Sequence, residues 1–248
     1  MLVLDCGTGA RALGMDLFTR GVRELDLLFT HFHMDHLFGF PFFGPVYAPN
    51  FQVRISIPAF SAEEARERLA RYANGVYHPV RMREMPADVT FHPIQPGRPF
   101  RRGPFDIMGV RLNHPGGSVG YRIKCGDRVV LYITDTAPLA RLGEGAAAGE
   151  RPPALEQQLL DAMHRADVVV FDTMFSFDEY LEKMTWGHSY PEYALALCEA
   201  AKVEHLVLFH HAPDASDEDL DALAEKWADQ VGPRVTLAKE GQVVDLEG

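Results

Sequence analysis

Short apolar runs, separated by polar and glycine-rich segments, extend along the whole chain and predict its secondary structure. Up to residue 134 most runs have the length and alternation of strands, whereas beyond residue 153 helix patterns alternate with buried strands. We expect helices at 10–19, 61–72, 153–165, 176–184, 190–201 and 216–230. We expect strands at 1–5, 24–30, 52–57, 88–93, 105–113, 118–125, 128–134, 168–171, 204–209, 234–238 and 242–246.

This order of elements favours an α+β fold, in which two mixed β-sheets form a four-layer αββα sandwich with helices on both outer faces. We expect a single domain over residues 1–248, because the chain contains no internal repeat and no low-complexity linker. The glycine- and alanine-rich segment at 141–153 is predicted to be a mobile loop.

The most informative polar residues follow the apolar run at 24–29, where Thr30 precedes the sequence His-Phe-His-Met-Asp-His. In an extended segment alternate side chains share a face, so we expect His31 and His33 to point together at one metal ion. A turn after them would bring Asp35 and His36 toward a second ion. Neutral imidazoles and a carboxylate suit a borderline cation such as Zn²⁺, so the pattern predicts a metal site.

Composition restricts the partners and the cellular location. The formal net charge of −11 disfavours extended contact with nucleic acid or with an anionic membrane surface. The three cysteines are far apart and form no Cys-x-x-Cys pair, which favours reduced thiols and a cytoplasmic protein. The sequence shows no signal peptide and no apolar stretch long enough to cross a bilayer. We expect a small-molecule substrate, no extended nucleic-acid binding and no membrane partner, and a homodimer is compatible with the sequence.

The His-x-His-x-Asp-His signature after an apolar strand resembles that of the metallo-β-lactamase superfamily of metallohydrolases. Other parts of that family's pattern follow in the expected order. The segment Leu4–Gly9 resembles the strand and glycine turn before the first helix. Gly187-His188-Ser189 resembles an element of the branch that includes ribonuclease Z and small cyclic-phosphodiester hydrolases. Three single residues resemble the remaining ligands, namely His114, Asp135 and His210.

The resemblance implies two divalent metal ions, for which Zn²⁺ is the first expectation and Mn²⁺ or Fe²⁺ the alternatives. It implies seven ligands in all, with His31, His33 and His114 on one ion, Asp35, His36 and His210 on the other, and Asp135 bridging both. A hydroxide held between the ions would be the nucleophile, because metal coordination lowers the pKa of water to about 7.

Two further assignments follow from the same resemblance. Asp35 would orient the attacking hydroxide, and His188 would reach the scissile phosphate and protonate or stabilise the leaving group. The alternative for His188 is a structural histidine at the entry of a helix. Consecutive residues at a strand end point to opposite faces, so either His210 or His211 is the last ligand, and the family pattern favours His210.

Members of this family usually carry one or two strands and a loop ahead of the segment that matches Leu2–Asp5. The resemblance therefore predicts that the N-terminal strands are missing here, or that the true start lies upstream of Met1. A missing neighbour would leave the first strand at an unpaired sheet edge.

Four aromatic residues lie beside the metal motif, namely Phe38, Phe40, Phe42 and Phe43. They are expected chiefly to form part of the core. The alternative is that they form a wall against which an apolar or base-like part of a substrate packs.

We therefore expect a dinuclear metal-dependent hydrolase that acts as a phosphodiesterase on a small substrate of the cyclic-nucleotide kind. The first alternative is hydrolysis of a carboxylic ester, thioester or lactone, in which Tyr180 or Tyr190 would matter more. The second is a non-catalytic, metal-bound nucleotide-sensing module. Transfer-RNA processing is less favoured, because the sequence contains no long glycine- and basic-rich arm. Diiron redox chemistry is disfavoured, because His33 stands where that pattern has an acidic residue.

Overall fold

The computed structural model describes residues 1–139, 154–229 and 232–246, and the chain divides into two compact units, Met1–Arg98 and Pro99–Gly248. Each unit contains one β-sheet, its own helices and its own apolar core. The predicted loop at 141–153 lies outside the described residues. That residues 1–248 form a single domain stays a prediction.

The first unit is built on a four-stranded sheet that is parallel throughout its described strands. In sheet order these are β1 Leu2–Leu4, β2 Glu24–Leu28, β3 Gln52–Pro58 and β4 Asp88–Ile94. The helices are α1 Ala10–Thr19, α2 Met34–Leu37 and α3 Ala62–Ala70. Short 3₁₀ turns lie at Phe40–Phe42, Gly44–Tyr47 and Met82–Glu84.

Strand β2 has the nearly continuous apolar character of a central parallel strand, and its three leucines are fully buried. Its buried carboxylate, Asp26, accepts a hydrogen bond from Nε of Arg54 on β3 at 2.8 Å. Parallel strands present their carboxyl ends at one edge of a sheet. The residues that follow β1 and β2 therefore lie at the same edge, where polar side chains can meet.

The second unit is built on a seven-stranded mixed sheet of order β11-β10-β9-β8-β7-β6-β5. Its strands are β5 Pro99–Arg102, β6 Phe105–Leu112, β7 Ser118–Cys125, β8 Arg128–Ile133, β9 Val168–Asp172, β10 His205–Phe209 and β11 Arg234–Leu237. The helices are α4 Ala154–Met163, α5 Phe177–Glu182, α6 Pro191–Ala201 and α7 Asp217–Ala228.

The direction of these strands decides which residues meet in the second unit. Strands β5 to β8 are antiparallel neighbours, whereas β8 to β11 are parallel. Strand β6 therefore runs in the same direction as β8, β9 and β10, and the carboxyl ends of all four lie at one edge of the sheet. Helices α4 and α6 pack against each other, and both contact the sheet.

One predicted strand is wrong, because residues 242–246 form no strand. Gly241 has a φ of 76°, and the N–H of Gln242 donates to the carbonyl of Lys239 at 3.1 Å, so a turn occupies the start of this segment. Strand β5, the short helix α2 and the three 3₁₀ turns were not predicted. The arginine pair in β5 obscures its apolar pattern, and the strand forms by pairing with β6.

Strand β1 lies at the edge of the described sheet, with β2 beside it. The expectation that strands are missing ahead of it stays a prediction. Among the described residues, the helices are all too short or too polar to cross a membrane. The cytoplasmic location likewise stays a prediction.

Candidate metal centre

The first unit gathers four of the predicted ligands where β2 ends, and we call His31, His33, Asp35 and His36 the first cluster. The rings of His31 and His33 lie with their centroids 4.4 Å apart, as the extended spacing predicts. Helix α2 then begins, and its first turn places Asp35 Oδ2 3.1 Å from Nε2 of His36. The expected turn after the two leading histidines is therefore this single helical turn.

Asp5, which follows β1, orients two histidines of the first cluster, His31 and His36. Its Oδ2 lies 2.8 Å from Nδ1 of His36, and both side chains are buried. The hydroxyl of Thr30 donates to the same carboxylate at 3.0 Å and lies 3.0 Å from Nδ1 of His31. With Nδ1 of both rings donating in this way, Nε2 is the atom that each histidine offers to a metal ion.

The role of Asp5 was not predicted from the sequence, where Leu4–Gly9 was interpreted only as a strand and a turn. Two features mark it in the structure. Its φ of 56° is unusual for a residue other than glycine, and its carboxylate is buried beside three polar groups. A carboxylate directly after an apolar strand was the available sequence signal.

The second unit gathers the other three predicted ligands, and we call His114, Asp135 and His210 the second cluster. They follow β6, β8 and β10, whose carboxyl ends share one edge of the sheet. One carboxylate oxygen of Asp135 lies 3.6 Å from Nε2 of His114, and the other lies 3.6 Å from Nε2 of His210. Asp135 and His210 have φ values of 56° and 61°, so a left-handed residue follows shortly after β8 and after β10.

Hydrogen bonds orient the second cluster as they orient the first. Nδ1 of His114 donates to the carbonyl of Gly187 at 2.9 Å. The hydroxyl of Thr134 donates to Asp135 at 2.6 Å and lies 3.4 Å from Nδ1 of His210. Nε2 of both histidines therefore faces the two oxygens of Asp135, and the other ring nitrogen of each is held by a hydrogen-bond partner, as is usual for metal-ligating histidines.

Gly187 is needed for this close approach. Its φ is 94°, and a Cβ atom at this position would collide with Nδ1 of His114 and Cδ of Pro115. The glycine of the Gly187-His188-Ser189 element therefore lets backbone reach the imidazole of a predicted ligand. This gives the element a physical role in addition to the resemblance that drew attention to it.

His188 lies beside the second cluster and is held by a buried carboxylate. Its Nδ1 is 3.0 Å from Oδ2 of Asp172, which ends β9 and is fully buried. The His188 ring stacks on His210 with centroids 5.0 Å apart, and it meets His114 at 5.2 Å. Asp172 also accepts the backbone N–H of Thr136 at 3.0 Å, so its orientation is fixed independently of the histidine.

Asp172 was missed in the sequence, where the apolar run Val168–Phe171 was interpreted as a strand without attention to the carboxylate that follows it. Ser189 does not cap α6, because the N-cap is Tyr190. The hydroxyl-bearing side chain of Ser189 is fully buried.

The structure distinguishes His210 from His211. Nε2 of His211 donates to the carbonyl of Ala238 at 3.2 Å, whereas Nε2 of His210 points to Asp135. Burial lowers the pKa of His211, which keeps its imidazole neutral near neutral pH. This geometry supports His210 as the ligand, although the assignment itself stays a prediction.

The donor atoms of both clusters suit a divalent ion. Within the first cluster, the donor atoms of His31 and His33 lie within 4.8 Å of each other, as do those of Asp35 and His36. Imidazole nitrogens and carboxylate oxygens without a thiolate favour Zn²⁺, Mn²⁺ or Fe²⁺ over a soft metal. The clusters therefore indicate that the protein binds divalent metal.

Comparisons with known proteins agree with this chemistry. Residues 1–211 match the family model described as the β-lactamase superfamily domain. The ribonuclease Z of Myxococcus xanthus is 23% identical, over 99% of this chain and 88% of that protein. The metallo-β-lactamase-fold protein YhfI of Bacillus subtilis superposes with a TM-score of 0.64 at 19% identity, over 97% of this chain and 85% of that one. The short form of human tRNase Z also superposes with a TM-score of 0.64, at 16% identity, over 98% of this chain and 87% of that one.

The chain belongs to the β-lactamase superfamily domain family, and the predicted metallo-β-lactamase fold is confirmed. Its two sheets with flanking helices are those of that fold, and the mixed pairing among the described strands lies in the second sheet. The protein is a metal-dependent hydrolase related to ribonuclease Z.

Proposed function

We propose that the protein is a phosphodiesterase that hydrolyses small phosphodiesters with two divalent ions, most simply Zn²⁺. The ligands proposed for the first ion are His31, His33 and His114, those for the second are Asp35, His36 and His210, and Asp135 is shared. The two ions would supply an activated hydroxide and would polarise the phosphoryl oxygen. The oriented Nε2 atoms of both clusters support this assignment.

The pair formed by His188 and Asp172 is the observation that carries the proposal. The Asp172 carboxylate lies 3.0 Å from Nδ1 of His188, so we assign proton donation to the other ring nitrogen, Nε2. A buried carboxylate behind an imidazole stabilises the ring when it carries positive charge. A phosphodiester with an alkoxide leaving group needs such a donor, and His188 lies against two of the proposed ligands, His114 and His210.

The pair of tyrosines that would serve ester or lactone chemistry has a different environment. Tyr180 and Tyr190 are both buried, their rings lie 4.9 Å apart, and they pack with Phe175 in a small apolar cluster. Burial raises the pKa of both hydroxyls. These tyrosines therefore contribute packing, which supports a phosphodiester over a carboxylic substrate.

Net charge and relatives bear on the size of the substrate. The formal charge of −11 opposes extended contact with a polyanion, so we propose a small diester rather than a long RNA. Ribonuclease Z relatives make RNA the competing substrate. In both cases the bond broken is a phosphodiester, and the two substrates differ in the surface that must hold them.

The test is a matched substrate panel for the Zn²⁺-loaded protein. We expect bis-p-nitrophenyl phosphate and a cyclic nucleotide to be hydrolysed with higher kcat/KM than p-nitrophenyl acetate, a lactone or a thioester. A precursor tRNA should be cleaved poorly. Preference for the carboxylic substrates would overturn the phosphodiesterase proposal, and efficient cleavage of the tRNA would overturn the small-substrate part alone.

A further inference from the structure

The first unit contains a cavity of about 840 Å³ directly beside the metal motif. Its wall includes Phe32 and Met34, the two residues on either side of His33 in the sequence. A cavity of this size, lined mainly by apolar and aromatic side chains with a few polar groups, is typical of a small-molecule site. The seven proposed metal ligands are not among its lining residues.

The aromatic run after the motif divides between the core and this cavity. Phe40 and Phe43 are fully buried in the core of the first unit. Phe38 and Phe42 line the cavity and remain 50% and 58% exposed. Exposing large aromatic rings to water at a concave surface is unfavourable unless a ligand covers them. Phe38 and Phe42 are therefore positioned to contact a ligand in the cavity.

Helix α3 and the segment that follows it provide the opposite wall. Arg71 and Tyr72 follow Arg68 by three and four residues, so each lies near the face of Arg68 as α3 ends, and all three line the cavity. The guanidinium of Arg68 lies 5.1 Å from the ring centroid of Phe32. The hydroxyl of Tyr72 donates to the carbonyl of Phe32 at 3.0 Å, which ties this wall to the metal motif.

The polar groups of the cavity include both donors and an acceptor. The guanidinium of Arg68 pairs with Glu64 at 2.6 Å. That of Arg71 has no carboxylate partner among the described residues, and it can meet an anionic oxygen. Nδ1 of His78 donates to the carbonyl of Val80 at 3.0 Å, so Nε2 of the neutral ring is an acceptor. The ring of His78 also meets Phe42 edge to face at 5.4 Å.

We propose that this cavity is a binding subsite for the nucleobase of a nucleotide phosphodiester. The heterocycle would stack on Phe42 and Phe38, with Arg71 near its phosphate and His78 accepting from its edge. A planar heterocycle uses the exposed rings as stacking surfaces, and it satisfies donors and acceptors that an aliphatic substituent leaves unpaired. That the substrate is a nucleotide phosphodiester rests on the proposed phosphodiesterase function. That the cavity binds a nucleotide does not depend on that function.

The kinetic test compares two diesters that share one leaving group. Thymidine 5′-(p-nitrophenyl phosphate) carries a base, and methyl p-nitrophenyl phosphate does not. We expect the Zn²⁺-loaded protein to prefer the nucleoside diester in kcat/KM, and Phe42→Ala to reduce this preference by about 10-fold, the size typical of one lost stacking contact. Arg71→Ala should lower kcat/KM for both diesters, because both carry the phosphate. The matched controls are Phe60→Ala, an exposed phenylalanine, and Arg66→Ala on α3, neither of which lines the cavity.

A binding test separates failure of the subsite from failure of the enzyme. Adenosine 5′-monophosphate and ribose 5-phosphate are titrated calorimetrically into the wild-type protein and into Phe42→Ala. Tighter binding of adenosine 5′-monophosphate than of ribose 5-phosphate, with the difference lost in Phe42→Ala, supports the subsite. If the subsite is supported in this way but neither diester is hydrolysed, only the phosphodiesterase proposal is overturned. Equal binding of the two ligands, or equal kcat/KM for the two diesters, overturns the subsite. A dimer that dissociates in Phe42→Ala by sedimentation would instead assign the cavity to a second copy of this chain.

Discussion

The two clusters of proposed ligands have the same chemistry but are constructed in different ways. The first cluster comes from six consecutive residues, 31–36, that pass from an extended segment into one helical turn. The second cluster comes from three strands, and 96 residues separate His114 from His210 along the chain. Local backbone geometry is therefore sufficient for the first cluster, whereas the second requires the whole sheet to have its native order and register.

The two clusters share one arrangement of hydrogen bonds, in which the aspartate has a different role in each. In each, a threonine hydroxyl lies at Nδ1 of a histidine and donates to an aspartate, with Thr30, Asp5 and His31 in one case. In the other, the residues are Thr134, Asp135 and His210. Asp5 only positions histidines, whereas Asp135 is itself a proposed ligand. In the first cluster, a carboxylate outside the ligand set, Asp5, therefore positions the histidines. In the second cluster, the proposed ligand Asp135 is itself the carboxylate in this arrangement.

Removing a ligand should have the largest effect. Asp135→Ala is expected to lose both ions and all activity above background, because this carboxylate is proposed to contact both ions. His33→Ala should lose metal and activity as well, but should retain part of the second ion. Elemental analysis of protein purified without chelator measures this. Only trace metal in the wild-type protein, or full metal in Asp135→Ala, would contradict the ligand assignment.

The next effect concerns His188, which is proposed to donate a proton rather than bind metal. His188→Ala should keep its metal but lose roughly 10²–10⁴-fold in turnover of a diester with an alkoxide leaving group. The loss should be much smaller for a p-nitrophenyl ester, because p-nitrophenolate departs without a proton. The exposed His164→Ala is the control. Equal losses on both substrates would indicate substrate placement, and no loss on either would leave His188 a structural role.

Two positioning carboxylates allow a direct comparison of the two regions. Asp5→Asn should weaken metal affinity about 10–100-fold, because Asp5 holds His36 and, through Thr30, His31. Asp172→Asn should leave metal affinity nearly unchanged and lower kcat with an altered pH profile, because Asp172 holds His188. Chelator competition and kcat against pH distinguish these outcomes. Identical effects of both variants on metal affinity would show that Asp172 also supports the ligands.

Gly187→Ala tests the close approach that orients His114. We expect a loss of about 1–3 kcal/mol in the free energy of unfolding, together with weaker metal binding. Gly126→Ala is the matched control, because Gly126 also has a positive φ but an added Cβ would meet nothing within 4 Å. Urea denaturation measures both. If the two variants lose equal stability and bind metal equally, contact with His114 contributes nothing beyond backbone strain.

The smallest effect is expected at His211. His211→Ala should keep full metal occupancy and change turnover slightly, because its Nε2 donates to the carbonyl of Ala238. His210→Ala should lose metal, because Nε2 of His210 lies 3.6 Å from Asp135. Metal analysis of the two variants provides the comparison. Loss of metal in His211→Ala with retention in His210→Ala would reverse the assignment.

Much of the fold was predictable, because most strands are continuous or alternating apolar runs and several helices begin with a capping serine. Ser61, Ser176 and Ser216 each accept the backbone N–H three residues later, as their sequence spacing suggests. The incorrect strand predictions concern segments whose conformation depends on whether a neighbouring strand pairs with them. Strand β5 exists because β6 lies beside it, and the segment 242–246 has suitable residues but no strand conformation.

By itself, the sequence determined which residues form the first cluster, because an extended segment followed by one helical turn brings the side chains of 31–36 close to one another. Only the tertiary structure showed that Asp5 and Asp172 hold His36 and His188, since neither carboxylate is near its histidine in the sequence. It alone divided the aromatic run into core residues and cavity residues. Each such contact depends on strand order and on the packing of helix α3, which hydrophobic periodicity does not encode.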